Sequence, residues 1–589
     1  MLALVSLLAG TAMWLGRTEP QVDTQWVKPF NPINCDGAES QKPTQKAFAT
    51  AEGFGRFARG GRGGRVYLVS TLEDSGPGSL RECAEAAGPR TCIFRVSGTI
   101  ALTDWIRVMH PYLTIAGQTS PGGIALRVDQ SLNSPLLIQA HDVIVRHIRI
   151  RPGPSTRPSD NVDTVQISGG AHDVILDHVS TSWPTDEGIN IVGSGHKPFR
   201  CGETRNITIQ WSILSEGLNK ANRGPHSRGA YFGYGAQNVS FHHNLIAGNV
   251  RRNPLVNMRG QFDMINNVIY NSALYNAEFY TRFGALNVNL VGNVAIVGPS
   301  SDKTTRLYLA DYFRDFPADF GIYLRDNIDV HRPTNIGDQR LVLEPHDWKY
   351  VQTSPLGSLS LQEGAITGPA QAYRDVLANA GSIKPQRDSV DQRVMADMQQ
   401  CKGRVIDDPA DVGGWPDLSG GVAPPDRDND GMADDWERAH GLSPTDAADR
   451  NRVGPDGHTF LEVYLGELAG DIESRPNRSK SDPDPSCGFD IKQAPPSPDI
   501  RMVAQPVGAN QPTRMRLVWS GDHIRHCKLE GKSVPASGSL MVEADRPTTY
   551  QIMCTGIAGG DTIDSVTLEG WRQRAPAEKS KGVEASSPR

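Results

Sequence analysis

An acidic segment near residue 430 has the residue types and the spacing of a metal-binding loop. Calcium takes six to eight oxygen ligands, and carboxylates at loop positions 1, 3, 5 and 12 can surround one ion while a glycine at position 6 permits the sharp turn. The segment matches the pattern D-x-D-x-D-G-x5-E in full. A solvated acidic linker is the alternative. We predict a structural Ca²⁺ site formed by Asp426, Asp428, Asp430 and Glu437, with Asp434 acting through a water molecule.

A second acidic group lies between residues 160 and 187, and a group of arginines lies between residues 251 and 259. If the chain coils so that successive turns stack about 4.8 Å apart, such carboxylates would repel one another unless a cation lay between them. The residues alone indicate a divalent-cation site near a cationic groove, or acidic turns that are simply solvated, and they leave the chemistry open. The residues concerned are Asp160, Asp163, Asp177, Asp186, Glu187, Arg251, Arg252 and Arg259. His178, which follows Asp177 in a strand-like segment, is expected to be a buried hydrogen-bonding histidine rather than a general base.

The elements that position these residues are short β-rich segments that repeat along the middle of the chain. The segments begin at residues 143, 174, 207, 239, 263 and 288, so their starts lie 24 to 33 residues apart. Each alternates apolar and polar residues with a period of two. This spacing predicts a solenoid of parallel strands, although an antiparallel sandwich is the alternative. Asn244, Asn267 and Asn293 take similar places in successive repeats, which predicts a ladder of side-chain amides.

Composition agrees with a turn-rich β protein. The 589 residues include 60 glycines and 41 prolines, which favours turns over long helices. The net charge of −6 gives no indication of nucleic-acid binding, so an acidic polymer would have to be met by a local basic cleft or by bound cations.

The N-terminus and the cysteines indicate an exported protein. Residues 1–15 are mostly apolar and too few to span a bilayer, which is typical of a secretory signal, with a poorly ordered terminus as the alternative. No later segment could cross a membrane. We therefore expect a secreted protein, extracellular or periplasmic. Eight cysteines occur without a CxxC pair, so zinc is not expected. Our preferred disulfides are Cys83–Cys92 and Cys527–Cys554, with isolated buried thiols as the alternative.

The predicted fold class is all-β. We divide the chain into a signal peptide (1–20), a right-handed parallel β-helix with a C-terminal extension (28–420), an EF-hand-like calcium module (421–470), a Pro/Ser/Asp-rich linker (471–499), a β-sandwich (500–572) and a disordered tail (573–589). A helix is expected near residues 370–380. In the calcium module, Asp446, Asp449 and Glu462 are candidates for a second, weaker site. The β-sandwich resembles a small bacterial immunoglobulin-like domain.

Several motifs in residues 50–300 resemble, in their order, those of pectate lyases of polysaccharide lyase family one. This resemblance implies a right-handed parallel β-helix and a Ca²⁺-dependent lyase. The motifs are Phe54-Gly55-Arg56-Phe57, the glycine-rich run at 60–64, Asp74-Ser75-Gly76-Pro77-Gly78-Ser79-Leu80-Arg81, Phe94-Arg95-Val96-Ser97-Gly98-Thr99-Ile100, Thr114-Ile115-Ala116-Gly117-Gln118-Thr119, Ile175-Leu176-Asp177-His178 and Arg252-Asn253-Pro254.

The resemblance also implies roles for individual residues. Asp163 and Asp186 match the first two calcium-binding carboxylates of the family, and Asn190 falls where the family usually has a third. An amide can ligate calcium but adds no charge, so weaker binding is expected unless Glu187 or Asp160 compensates. Arg252 matches the catalytic arginine. The family's second arginine would fall on Asn257, and Arg259 could serve after a two-residue shift, while Lys220 lies near the substrate-binding lysine.

The reaction implied is β-elimination on (1→4)-α-D-galacturonan, which gives 4,5-unsaturated oligogalacturonides. The expected partner is an acidic polysaccharide, pectate or polygalacturonate, and we expect a monomer with no nucleic-acid or membrane partner. An arginine base implies an alkaline optimum, because its ordinary pKa is above ~12. Two alternatives are a catalytically inactive β-helix that binds an acidic polysaccharide, and a hydrolase on the same scaffold, which would need paired acid and base carboxylates.

Overall fold

The computed structural model describes residues 45–128, 134–154, 162–194, 203–221, 224–302, 306–309, 320–454, 457–471, 499–506, 514–522, 524–543, 548–556 and 561–568. The predicted signal peptide, nearly all of the linker, the predicted tail and Asp160 lie outside these residues. Among the described residues, no helix has both the length and the apolar character needed to span a membrane.

Residues 65–352 coil through three parallel sheets, and each full coil adds one strand to each sheet in the order sheet 1, sheet 2, sheet 3. Within the described residues, sheet 1 consists of β1 (Arg65–Val69), β2 (Arg90–Phe94), β5 (Leu113–Ala116), β8 (Val143–Arg146), β11 (His172–Asp177), β14 (Arg205–Gln210), β19 (Gln237–His242), β22 (Gly260–Ile265), β25 (Leu286–Val291), β28 (Phe320–Arg325) and β29 (Val351–Gln352). Sheet 2 consists of β3 (Gly98–Leu102), β6 (Ile124–Val128), β9 (Arg149–Ile150), β12 (Ser180–Ser182), β15 (Ile213–Ser215), β20 (Leu245–Ala247), β23 (Val268–Tyr270) and β26 (Val294–Ile296). Sheet 3 consists of β4 (Ile106–Val108), β7 (Leu136–Ile138), β10 (Val165–Ile167), β13 (Ile189–Val192), β18 (Ala230–Gly233), β21 (Leu255–Asn257), β24 (Glu278–Phe279) and β27 (Tyr308–Leu309).

The repeat predicted from the sequence is the stacking repeat of sheet 1. Every strand pair within the three sheets is parallel, so the antiparallel alternative is wrong for this part of the chain. One row of paired residues points into the interior and is buried along its length, because the period-two alternation repeats at the same register in each coil. The row contains Val143, Val174, Ile207, Val239, Phe262, Val288 and Ile322.

The predicted asparagine ladder is confirmed, and it extends one coil further than the sequence indicated. The Nδ2 group of Asn244 donates to Oδ1 of Asn267 at 3.0 Å, and Asn267 donates to Asn293 at 3.0 Å. Asn293 then donates to Oδ1 of Asn327 at 2.9 Å. These amides are buried at the turn between sheets 1 and 2, where the hydrogen bonds between them satisfy polar groups that would otherwise be costly to bury.

Five α-helices lie around the solenoid in the described part of the chain. Leu80, Cys83 and Ala84 of the first helix belong to the main core next to strands β1, β2 and β4, and the predicted disulfide Cys83–Cys92 joins this helix to β2. The second helix matches the prediction near 370–380, whereas the third was not predicted; both pack on sheet 2. The helices are α1 (Leu80–Glu85), α2 (Pro369–Asn379), α3 (Ser389–Gln400), α4 (Asp434–Ala439) and α5 (Phe460–Ala469).

The acidic segment near residue 430 and helix α5 pack on the outer face of sheet 1. Met432, Leu461 and Leu465 form an apolar cluster with Ile93 and Ala116 of strands β2 and β5. Beyond α5, both carboxylate oxygens of Asp471 accept hydrogen bonds from the buried guanidinium group of Arg146, at 2.8 and 2.9 Å. The acidic segment is thus attached to the solenoid rather than separated from it.

The C-terminal residues form two antiparallel sheets with a core of their own. The three-stranded sheet consists of β30 (Asp499–Pro506), β31 (Arg514–Asp522) and β34 (Gly538–Glu543) in the described residues, and the four-stranded sheet consists of β32 (Ile524–Leu529), β33 (Lys532–Val534), β35 (Thr548–Gly556) and β36 (Asp561–Leu568). Leu517 and Trp519 of one sheet pack with Ile552 and the Cys527–Cys554 disulfide of the other. Both preferred disulfides are therefore confirmed, and Cys401 is also disulfide-bonded. The remaining short hairpin, β16 (Lys220–Ala221) with β17 (Gly224–Pro225), lies between sheets 2 and 3.

Candidate active site

The connections that lead from sheet 2 into sheet 3 carry most of the predicted site residues. Asp163 precedes β10, Asp186 and Glu187 precede β13, and Arg252 precedes β21. Since β10, β13, β18 and β21 are neighbours in sheet 3, parallel stacking brings residues of different coils that lie 23 to 89 positions apart in sequence to one place. Asn190 lies on β13 itself and pairs in register with Tyr231 of β18.

Asp163, Asp186 and Glu187 form a cluster of carboxylates. One oxygen of each lies within 4.8 Å of the others. Asp163 accepts hydrogen bonds from the backbone N–H of Glu187 at 2.9 Å and from Nδ2 of Asn190 at 2.8 Å. Burial raises the pKa of Asp163 to about 8, and the charge of Asp186 adds to that shift. The Oδ1 atom of Asn190 is buried and accepts no hydrogen bond from the described residues. The oxygen-rich donor set and this unsatisfied oxygen fit a hard cation.

Basic residues surround the carboxylate cluster on its other side. Arg228 donates to Asp186 at 3.1 Å and lies 3.6 Å from Glu187, and Nε2 of His226 lies 2.9 Å from the same Asp186 oxygen. Burial alone would raise the pKa of Asp186, but the hydrogen bond with His226 and the charge of Arg228 outweigh it, so the pKa of Asp186 is lowered. Neighbouring Asp163 and Asp186 therefore have opposite preferences for a proton.

Arg252 lies at the edge of this cluster and is held from three directions. Its guanidinium group forms an ion pair with Glu187, and its Cζ lies 5.3 Å from the centroid of the Tyr231 ring. Its backbone, in the left-handed region at φ 58°, donates to the buried carboxylate of Glu278 at 3.0 Å. Burial lowers the pKa of Arg252. Arg251 points instead to Glu278, with which it forms an ion pair.

Two predicted substrate-binding residues lie further from the cluster. Lys220 is exposed on the β16–β17 hairpin, and the residue after that hairpin, His226, contacts Asp186. Arg259 lies beyond the opposite end of β21 from Arg252, with its guanidinium group against Gly235. Neither residue contacts the carboxylate cluster in the structure.

The structure corrects the position of Asp177. This residue ends a strand of sheet 1, where its buried carboxylate accepts hydrogen bonds from Arg146 and Gln210 at 2.7 Å, and it does not join Asp163. The sequence repeat predicted that Asp177 lies on a neighbouring coil, but it did not indicate which of the three sheets Asp177 belongs to. His178 has its Nδ1 2.9 Å from Asp177 and stacks between His147 and Trp211, as a structural histidine would.

Four residues at the site were not predicted from the sequence: Arg228, His226, Tyr231 and Glu278. The backbone of Arg228 pairs with that of Arg251 on the next coil in an isolated parallel β-bridge. An alignment of the residues that precede each sheet-3 strand would therefore have identified Arg228. The other three carry no such signal. His226 and Glu278 are single polar residues in loops or short strands, and Tyr231 appeared to be an ordinary strand residue.

A second carboxylate cluster is formed by the predicted calcium loop together with Asp449. Asp426, Asp428 and Asp430 converge, and Asp430 also converges with Glu437 and Asp449. Burial, with help from the neighbouring charges, raises the pKa of Asp430 to about 7 and that of Glu437 to about 8. Among the described residues, six buried carboxylate oxygens of this cluster accept no hydrogen bond; they belong to Asp428, Asp430, Glu437 and Asp449.

Three other acidic residues of this module have different partners. Asp434 accepts a hydrogen bond from the backbone N–H of Arg427 at 2.9 Å and faces two arginine side chains rather than the cluster. The expected second site is wrong, because Asp449 belongs to the first cluster. Asp446 accepts from the backbone of Ala448, and Glu462 pairs with Arg62 at 2.7 Å.

Curated relatives show the family to which the chain belongs. No protein-family model matches the chain. The chain is 37% identical over 436 residues to Probable pectate lyase C of Aspergillus flavus, which covers 72% of this chain and 94% of that protein. It is 36% identical over 435 residues to the Aspergillus terreus protein of the same name, with the same coverage.

Among solved structures, the major allergen from cedar pollen, Jun a 1, has a TM-score of 0.40, 18% identity and coverage of 56% of this chain and 92% of that one. A pectate lyase bound to a hexasaccharide has a TM-score of 0.40, 14% identity and coverage of 58% and 99%. On the identity and coverage of the curated relatives, the chain belongs to the pectate lyase family of polysaccharide lyases.

Proposed function

We propose that this protein is a calcium-dependent lyase that cleaves (1→4)-α-D-galacturonan by β-elimination and releases 4,5-unsaturated oligogalacturonides. The observation that carries the proposal is the convergence of Asp163, Asp186 and Glu187 on one side of Arg252, at the N-terminal ends of the sheet-3 strands. A cation and a guanidinium group side by side can both interact with the carboxylate of one uronate.

The residues of the first cluster fit a calcium ion. Asp163, Asp186 and Glu187 would hold it together with Oδ1 of Asn190, and all of these are oxygen donors. A calcium ion bound there would neutralise the substrate carboxylate next to the carbon that loses its proton. Tight clustering of buried carboxylates is costly without a cation, as the raised pKa of Asp163 indicates.

Arg252 is the proposed base, which removes the C5 proton of a galacturonate. An ordinary guanidinium group is protonated at neutral pH, but burial lowers the pKa of Arg252, and Arg228 nearby is a second positive charge at the same carboxylates. Glu278 holds the Arg252 backbone and Glu187 holds its side chain, so the guanidinium group has a fixed position relative to the carboxylate cluster. Lys220 and Arg259, the substrate-binding candidates, would contact other uronates of the same chain.

The test is the ultraviolet absorbance of unsaturated product formed from polygalacturonate, with calcium or with a chelator. Wild-type protein should produce the absorbing product in alkaline buffer with calcium, and Arg252→Lys and Arg252→Ala should each reduce the rate by at least about 100-fold, since a positioned base contributes ~10²–10⁴ to the rate. Arg56→Lys, a change in the segment that precedes β1, is the matched control. Full activity of Arg252→Ala, or activity that a chelator leaves intact, would overturn the proposal.

A catalytically inactive protein that binds an acidic polysaccharide is the second candidate. It is favoured by Asn190, which occupies the place of a carboxylate, and by the ion pair that ties Arg252 to Glu187. Binding of polygalacturonate without any absorbing product would support this candidate instead. The third alternative, a hydrolase, would yield reducing ends without absorbance, and membership of a lyase family argues against it.

We also propose a second, structural Ca²⁺ in the module at 421–470, held by Asp426, Asp428, Asp430, Glu437 and Asp449. The support is the set of unsatisfied, buried carboxylate oxygens. Isothermal titration calorimetry should detect two calcium ions per chain in wild-type protein and one in a Glu437→Gln variant. Two ions in both proteins would contradict this proposal.

The remaining modules and the location are also proposals. The C-terminal pair of antiparallel sheets, which pack together around a core of their own, supports an immunoglobulin-like domain. Disulfides support an oxidising compartment, so we propose a secreted protein. Expression with residues 1–20 fused to a reporter, followed by assay of culture medium and periplasm, tests this location.

A further inference from the structure

Next to Arg252, two glycines flank Tyr234 and leave space for two other side chains. A Cβ atom at Gly233 would lie 2.3 Å from Cζ and from the hydroxyl oxygen of Tyr231, so the tyrosine ring lies flat over this glycine. A Cβ atom at Gly235, where φ is +82°, would lie 2.5 Å from Nη2 of Arg259. Tyr231, Tyr234 and Arg259 are thus assembled around one Gly-Tyr-Gly segment at the end of β18.

The aromatic rings in this place form a continuous surface. The ring centroid of Tyr234 lies 5.8 Å from that of Tyr231 and 5.2 Å from that of Phe283. The Tyr234 side chain is 48% exposed, and within the described residues it is the one tyrosine among the exposed large apolar side chains. Tyr234 packs edge to face with Tyr231 and at a tilt of 43° against Phe283, so its ring is held in position while about half of the side chain stays open to solvent.

This aromatic surface is continuous with the proposed catalytic site. Tyr231 contacts Tyr234 with one side of its ring and the guanidinium group of Arg252 with another, at 5.3 Å from the ring centroid. A ligand that follows the outer face of sheet 3 from Arg252 would therefore meet Tyr234 and Arg259 next. Aromatic rings stack on the apolar faces of pyranose rings, and an arginine binds a carboxylate, so the pair suits a sugar acid.

We propose that Tyr234, Phe283 and Arg259 form a binding subsite for a uronate that is a neighbour, along the polysaccharide, of the uronate at Arg252. The proposal rests on the proposed function and assigns the substrate's extra rings to this side of the cleavage site. Tyr234 and Phe283 stack on the pyranose ring, and Arg259 pairs with its carboxylate. This explains why Arg259 lies away from Arg252: it serves a different sugar.

The test compares Tyr234→Ala with Tyr234→Phe and with Met109→Ala, an equally exposed apolar control that follows strand β4 of the same sheet. Removing the ring should raise KM for polygalacturonate about threefold to tenfold, the size of one stacking contact. The same change should have little effect on a substrate too short to reach the subsite. Tyr234→Phe should restore the wild-type KM, because the ring and not the hydroxyl group makes the contact. An unchanged KM in Tyr234→Ala, or an equal rise in Met109→Ala, would overturn the subsite.

A binding measurement separates this subsite from the proposed chemistry. Native electrophoresis through a gel that contains polygalacturonate measures affinity in the Arg252→Ala background, where no cleavage is expected. Retardation of Arg252→Ala that is lost in Arg252→Ala/Tyr234→Ala supports the subsite even if wild-type protein forms no unsaturated product, an outcome that would overturn only the proposed function. Equal retardation of the two proteins, or none in either, would overturn the subsite.

Discussion

Glu187 forms an ion pair with Arg252 while its carboxylate also belongs to the cluster with Asp163 and Asp186. One side chain therefore joins the proposed base to the proposed calcium site. Loss of calcium should free this carboxylate to interact more strongly with the guanidinium group, whereas bound calcium should compete for it. The proposed calcium site and the protonation of Arg252 should therefore be linked through Glu187.

Replacing Glu187 with Gln should weaken calcium binding and lower the pKa of Arg252. The calcium concentration for half-maximal activity should rise about tenfold, because one charged ligand is lost, and the pH–rate profile should rise at lower pH, because the anion that favours protonated Arg252 is gone. Rate measurements across calcium concentration and pH check this, with Glu73→Gln on an exposed loop as control. A calcium requirement identical to wild type would mean that Glu187 is not a ligand.

Replacing Asn190 with Asp should have opposite effects with and without calcium. A third full carboxylate should tighten calcium binding about tenfold. Without calcium, the change removes the hydrogen bond from Nδ2 of Asn190 to Asp163 and sets two carboxylates 2.8 Å apart in its place, so the melting temperature in a chelator should fall. Calorimetric titration and thermal unfolding measure the two effects. If Asp at this position weakens calcium binding, the Asn190 side chain does not face the ion.

In the calcium module, Asp449 and Asp446 offer a matched pair of substitutions. A ligand at 100 times its Kd raises the free energy of unfolding by about 2.7 kcal/mol. Asp449→Asn should lose most of the calcium-induced rise in melting temperature, while Asp446→Asn should keep it, because only Asp449 faces the cluster. If calcium raises the melting temperature of both variants equally, Asp449 does not bind the ion of this cluster, and the separate site predicted from the sequence would be supported instead.

Buried histidines should make the protein sensitive to acid. Burial lowers the pKa of His243 to about 3 and holds the pKa values of His147 and His242 well below the ordinary value. An unfolded histidine binds a proton near pH 6.5, so the stability that these neutral rings contribute is complete above that pH and is lost as pH falls toward their folded pKa values. Each histidine should cost about 1.4 kcal/mol per pH unit in that window.

The variant His243→Phe tests the contribution of one of these rings. It keeps the ring that stacks on Trp211 at 4.2 Å but cannot be protonated. Urea unfolding at saturating calcium between pH 7 and pH 5 should give a slope for the variant that is smaller by about 1.4 kcal/mol per unit than that of wild type. Parallel dependences in the two proteins would show that folding does not lower the pKa of His243.

Repetition made much of the fold predictable. Equal spacing of alternating segments fixes which residues stack, so the pairing of Val174 with Ile207 and the ladder of Asn244, Asn267 and Asn293 could be expected from the sequence. The same logic brought Asp163 and Asp186 to neighbouring coils, whereas the role of Arg252 was implied by the family resemblance. Repetition did not distinguish the three sheets, which is why Asp177 was expected in the wrong place.

Residues outside the repeat could not be placed in this way. Asp449 reaches the calcium loop only through the packing of α5 on α4 and on sheet 1, which leaves no pattern in the sequence. Helix α3 covers sheet 2, and buried Arg151 pairs there with Asp391 at 2.8 Å, across 240 residues. Such contacts depend on how an irregular segment folds back on the solenoid, and neither periodicity nor composition encodes that.

Helix α1 has a consequence for solubility. A stack of parallel strands ends in an open row of backbone donors and acceptors, to which another chain could add strands. At the N-terminal end of this stack, Leu80, Cys83 and Ala84 close the interior beside β1, β2 and β4, and a disulfide fastens the helix to β2. The helix therefore covers this end of the stack and hinders the addition of strands from another chain. Chains whose Cys83–Cys92 bond has been reduced should assemble into filaments more readily than chains with the bond intact.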